Sequence, residues 1–143
     1  MKKTIKVIIC IALCSCMLLA LTACSSKLNE KDIIGEYTGT VYWTDYMTVY
    51  TPKERTATCK LTLNKDGTYK IIATGGDDAD QFYEWNDTWE IDDSGELVFG
   101  HANRIIKPSF NKQNGSLWFS YESYSIHSGE LTLEYYFSFT KLS

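Results

Sequence analysis

The chain has 143 residues with 14 Lys and Arg against 18 Asp and Glu, a net charge of −4, and 4 Trp, 10 Tyr and 6 Phe. That length supports one domain of modest size. The acidic balance excludes nucleic acid as an expected partner, because phosphate binding draws on a basic surface.

Lys2, Lys3 and Lys6 open the chain, and an uncharged run follows from Val7 through Ala23. A basic head, an apolar middle and small residues at the end have the form of a secretory signal. The run closes on Leu21-Thr22-Ala23-Cys24, which resembles the lipobox of bacterial lipoproteins. The resemblance implies that the Cys24 thiol receives a diacylglyceryl group and that the chain is cut before it. Acyl chains on Cys24 would then hold the protein in the cell envelope, on the outer face of a bacterial membrane, cytoplasmic or outer. The expected organisation is a signal peptide over 1–23, a lipidated tether over 24–33 and a folded domain over 34–143. Three basic residues leave with the signal, so 11 face 18 acidic residues in the remainder. Such a surface gives no attraction to anionic lipid, and the anchoring falls to the acyl chains.

Cys10, Cys14 and Cys16 also leave, and Cys59 is left without a disulfide partner. It shares a strand face with Ala57, Leu61 and Leu63 and reads as a small apolar filler. Ser25 to Asp32 is polar, with a helical turn near Leu28 to Ile33.

From Ile34 onward the dominant period is two, the mark of half-buried strands. Eight stretches alternate: Gly35–Thr44, Arg55–Leu63, Thr68–Thr74, Tyr83–Ile91, Glu96–Phe99, Arg104–Phe110, Ser116–Ser123 and Leu131–Lys141. In the last, Leu131, Leu133, Tyr135, Phe137 and Phe139 share one face. Three connections are tight and end in glycine: Asn64 to Gly67, Asp92 to Gly95 and Asn111 to Gly115. The other four read as looser: Asp45 to Glu54, Gly75 to Phe82, Gly100 to Asn103 and Ser123 to Glu130. In a meander the two sets fall at opposite ends. The expected fold is therefore all-β, a single eight-stranded antiparallel up-and-down barrel with a narrow base and a wider mouth. Both ends of the domain fall at the base, so the mouth is expected to face away from the anchoring membrane.

Gly35-Glu36-Tyr37 is similar to the Gly-x-Trp signature of lipocalin-like proteins, with tyrosine in place of tryptophan. Leu61 through Tyr69, Thr88-Trp89-Glu90-Ile91 and Glu96-Leu97-Val98-Phe99 resemble the core of small bacterial lipocalin-like lipoproteins. The likeness spans about Ile34 to Leu142. It implies a calycin-type barrel for apolar ligands or protein partners, and no chemistry.

The residues themselves point the same way. The chain after the signal has no nucleophile motif, no Gly-rich phosphate loop and no His-x-x-x-His, so no enzyme and no cofactor are expected. Asp77-Asp78-Ala79-Asp80 lacks the acid spacing of a calcium loop and reads as a solvated hairpin tip. His101 and His127 fall at the mouth with these aspartates, and no metal is assigned to them. Tyr42, Trp43, Tyr46 and Tyr50 run into the first mouth loop, and Tyr121 and Tyr124 approach it from the seventh strand. Amphipathic rings at a rim suit an apolar site with a few polar contacts. The candidate ligand-binding residues are Tyr46, Tyr50, Tyr124 and His127. Two functions compete for a monomer of this kind. One holds a small apolar or amphipathic ligand at the open end of the barrel. The other is a protein-interaction module of inhibitor or envelope-stress sensor type, with the barrel filled. Ala57, Cys59 and Ala73 leave room on the inward face and favour the first.

Overall fold

The computed structural model describes residues 27–47 and 51–143; the signal run, Cys24 and Tyr50 lie outside the described residues. A short helix, α1 (Glu30–Ile33), precedes nine strands. These are β1 (Gly35–Asp45), β2 (Lys53–Leu63), β3 (Thr68–Gly75), β4 (Trp85–Ile91), β5 (Leu97–His101), β6 (Arg104–Ile106), β7 (Ser109–Asn111), β8 (Ser116–Tyr124) and β9 (Leu131–Lys141). A 3₁₀ turn (Ala79–Gln81) lies between β3 and β4. Every pairing is antiparallel, in the order β6-β5-β4-β3-β2-β1-β9-β8-β7. The two outermost strands, β6 and β7, are consecutive in the chain, and the sheet is a strongly curled, up-and-down half-barrel.

The all-β, up-and-down architecture matches the sequence expectation, but the strand count is nine rather than eight. The run Arg104–Phe110 is broken at Lys107-Pro108. Proline has no N–H to give a ladder, and Pro108 is buried. Upstream, β6 pairs with β5; downstream, β7 pairs with β8.

Alternation places the core. In β9, Tyr135, Phe137 and Phe139 are buried while Tyr136, Ser138 and Thr140 are exposed. Tyr37, Val41 and Trp43 of β1 and Ala57, Cys59, Leu61 and Leu63 of β2 join them on the concave face. Each large apolar side chain removed from water in this way contributes about 1.5–3 kcal/mol. At the base, α1 inserts Ile33, which is fully buried. The Tyr37 hydroxyl donates to the Ile33 carbonyl, and Lys141 Nζ donates to the Asp32 carbonyl at 2.7 Å.

The base turns are built from side-chain acceptors, as expected where Asp and Asn imitate a backbone turn. Asp66 accepts the Thr68 N–H, Asp92 accepts those of Ser94 and Glu96, and Asn114 accepts that of Ser116. The Ser94 hydroxyl and the Glu96 N–H are the main reasons the Asp92 carboxyl is held down to about 2.

The mouth end is tighter than expected. The β5–β6 connection, expected to be loose, is a two-residue turn with Ala102 and Asn103 at φ +48° and +63°. Two left-handed residues match the twist of the flanking strands. Asp78 is no solvated tip either. Its carboxylate accepts Arg55 Nη1 at 3.3 Å and the Thr56 N–H at 3.1 Å, which ties the β3–β4 segment down onto β2.

Candidate functional site

The interior is occupied by the protein's own rings. Phe119 stacks on Phe137 with centroids 4.5 Å apart, Trp85 meets Phe137 edge-on at 4.8 Å, and Tyr69 stacks on Phe99 at 4.7 Å. These offset and edge-to-face geometries suit the ring quadrupoles. The β3–β4 segment, held by Arg55 and Asp78, sends Phe82 over the mouth. There its ring meets Trp43 at 5.9 Å and Phe137 at 6.2 Å. His101 lies against Trp85 at the same end, 3.7 Å between centroids. Of the small inward residues, Gly39 pairs with Phe139 on one side and Cys59 on the other, Cys59 pairs with Ala73, and Ala57 pairs with Val41.

Outside this core, the break at Pro108 has a consequence. Above Trp118, β8 has lost its β7 partner, and β6 has a partner only in β5. The two strand edges border an open groove of about 390 Å³, lined by Arg104 to Lys107 and Trp118 to Glu122. Ile105 and Trp118 present their side chains to solvent there, 75% and 60% exposed. Arg104 bridges the gap: its Nη1 donates to the Glu122 carbonyl at 2.9 Å. Its guanidinium carbon lies 5.5 Å from the ring centre of Tyr124 and 5.9 Å from that of Tyr121.

The groove opens onto the convex face of β1, β9 and β8. Register puts Tyr42 opposite Tyr136, and Glu122 opposite Glu134. Glu134 accepts the Tyr46 hydroxyl at 3.2 Å through one carboxylate oxygen and the Tyr136 hydroxyl through the other. Glu122 accepts the hydroxyl of Tyr124. The hydrogen bonds to these carboxylates raise the Tyr124 and Tyr136 hydroxyls above the usual tyrosine range. Tyr46 is raised first by its partial burial and then by Glu134.

Of the four residues singled out from sequence, Tyr46 and Tyr124 come onto this one convex face, joined through Glu134 and Glu122. Tyr50 lies outside the described residues. His127 sits in the exposed β8–β9 turn, its backbone N–H donating to Ser125 Oγ. Tyr42 is among the rim rings read from the sequence but not among the candidates, and Tyr136 and the two glutamates are in neither set. Their signal was present in β9, where Glu134 and Tyr136 occupy the outward positions of a strand whose other face is apolar. Trp118 repeats it in β8. Among the described residues no group of three or more His, Cys, Asp or Glu is arranged to hold a metal ion. No family model and no curated protein matches the chain.

Proposed function

We propose that this chain is a bacterial lipoprotein, held in the cell envelope by acyl chains on Cys24, whose lipocalin-like barrel serves as a protein-interaction module. The observation that carries the reading is where the rings lie. Trp85, Phe119, Phe137 and Phe99 fill the interior against one another, and Phe82 and Ile33 occupy its two ends. Exposed apolar side chains line the groove and the convex face at Ile105, Trp118, Tyr42 and Tyr136, and Met47, Tyr83 and Ile126 add others in the mouth-end loops. Grouped exposed aromatic surface is characteristic of interaction sites. The tether supports the same picture. Lys27 packs beside Gly95 in the β4–β5 turn at the base, and Cys24 lies three residues upstream, a reach of at most about 11 Å. The base therefore faces the lipid, and the groove runs from that base, where Lys107 pairs with Asp92 and Glu96, up toward Arg104 at the mouth.

The test has two arms on the full-length lipoprotein. A photo-cross-linking phenylalanine analogue at Trp118, in intact cells, is expected to give a discrete protein adduct. The same analogue at Glu90, on exposed β4, is expected to give none. A fluorescent fatty acid titrated into the purified protein is expected to show no saturable transfer from the interior tryptophans. Stoichiometric transfer from Trp85 and Trp89 without a Trp118 adduct would instead make the protein a carrier of apolar ligands.

A further inference from the structure

We infer that the convex face of β1, β9 and β8 receives an arginine side chain from a partner protein, seated among Tyr46, Tyr124 and Tyr136 over the Glu122–Glu134 pair. This rests on the protein-interaction reading and names the chemistry of the partner.

Like charges directly opposite one another across a ladder are destabilising, and Glu122 and Glu134 are direct partners in the β8–β9 register. Glu54 extends the same row, since it pairs with Thr44, which pairs with Glu134. Among the described residues none of the three forms a salt bridge. Several carboxylates elsewhere on the sheet do: Glu36 with Lys60, Glu84 with Lys70, Asp92 and Glu96 with Lys107, and Asp78 with Arg55. Asp66, Asp87, Glu90 and Asp93 also lack an ion pair, but in the ladder registers of the described strands only Glu122 and Glu134 set acid directly against acid, on the face that also carries the exposed tyrosines.

Those tyrosines define what would complement it. Their hydroxyls fix the Glu122 and Glu134 carboxylates in place, and Tyr136 leaves half of its surface in solvent. A ring face beside a carboxylate attracts a cation twice, through its quadrupole and through the charge. The border of the face already holds one such group. Arg104 places its guanidinium over Tyr124 while donating to the Glu122 carbonyl. Arginine suits the remaining seat better than lysine, because a planar fork both stacks on a ring and donates in parallel to carboxylate oxygens.

The experiment uses the purified full-length lipoprotein in neutral detergent at low salt. The probe is a capped peptide of three Arg-Gly repeats, read by calorimetry. Saturable binding is expected, weaker by at least threefold when lysine replaces arginine. Glu122→Gln with Glu134→Gln should weaken it at least tenfold. Glu90→Gln with Asp93→Asn removes the same charge from exposed positions elsewhere and should weaken it less than twofold. Equal losses in the two double variants would reduce the effect to net charge and overturn the assignment, as would no binding to the unaltered protein. The Trp118 adduct separates this inference from the reading beneath it. If the adduct forms equally well with Glu122 and Glu134 replaced, a partner docks without using the seat, and only the arginine assignment fails.

Discussion

The indole of Trp85 and the imidazole of His101 lie face to face, their planes within 8° and their centroids 3.7 Å apart. Tyr121 closes on both edge-on, at 5.2 Å from Trp85 and 5.0 Å from His101. Burial holds the imidazole below its ordinary value of 6.5, with the Asp87 carboxylate pulling weakly the other way. The unfolded chain therefore binds a proton in a range where the native state resists it. The contribution of neutral His101 is fully present above about pH 6.5 and is lost as pH falls below that. His101→Phe keeps a ring on Trp85 and removes the titration. Urea midpoints taken from pH 8 to pH 5 should fall more steeply for the native protein than for this variant. Parallel profiles would show that His101 does not carry the dependence.

Asp78 holds the segment that carries Phe82. Its partner Arg55 has a side chain only 14% exposed, and Asp78 itself 22%, so water screens the pair incompletely. Asp78→Asn is expected to cost about 1.5–3 kcal/mol, the range for hydrogen bonds to a charged group. Hydrogen exchange over 76–82 should accelerate with it. A variant of unchanged stability and exchange would mean that Phe82 is held by ring packing alone.

Gly39 pairs with Phe139 where β1 lies close against β9. A Cβ there would lie 2.7 Å from Phe139 Cα and closer still to the Ser138 carbonyl oxygen, both of them backbone atoms that cannot swing aside. Gly39→Ala should therefore destabilise by about 1–3 kcal/mol or more through overpacking. The β1–β9 ladder should show it first, as faster exchange of the Val41 and Phe139 amides. A neutral substitution would contradict the close approach.

Cys59 is fully buried, and burial pushes its thiol up to about 12. The thiolate is the reactive form, so alkylation of Cys59 in the native protein at pH 8 should be slower than in the urea-unfolded chain by at least a hundredfold. Peptide-level mass spectrometry after iodoacetamide treatment reads this site apart from the other cysteines. Comparable rates in the two states would place Cys59 at the surface.

Local rules made much of the architecture legible. Leu131 to Lys141 alternates so regularly that its span and its inward face agree with β9. Asp66-Gly67, Ser94-Gly95 and Asn114-Gly115 announced the base turns, because each depends only on a side-chain acceptor and on a glycine at φ > 0. The Gly100 to Asn103 connection reads as loose in the sequence because neither Ala102 nor Asn103 is glycine, yet both take left-handed φ in a two-residue turn. Its conformation is imposed by the pairing of β5 with β6 on either side.

By itself the sequence determined a curled antiparallel sheet of short strands, for period-two alternation and turn chemistry act over a few residues and need no distant partner. It also placed Tyr46 and Tyr124 at the same end of that sheet. Only the tertiary structure decided that the run through Pro108 divides between two neighbours, because a proline's missing N–H matters only once a ladder is there to need it. The same holds for the convex face. Glu122 and Glu134 lie 12 positions apart along the chain, and nothing local to either of them brings them together. The β8–β9 register sets them opposite each other, and that register follows from burying Leu117, Phe119, Phe137 and Phe139 on the other side of the sheet. A slip of one residue would turn those rings to water, so core burial is what arranges the surface.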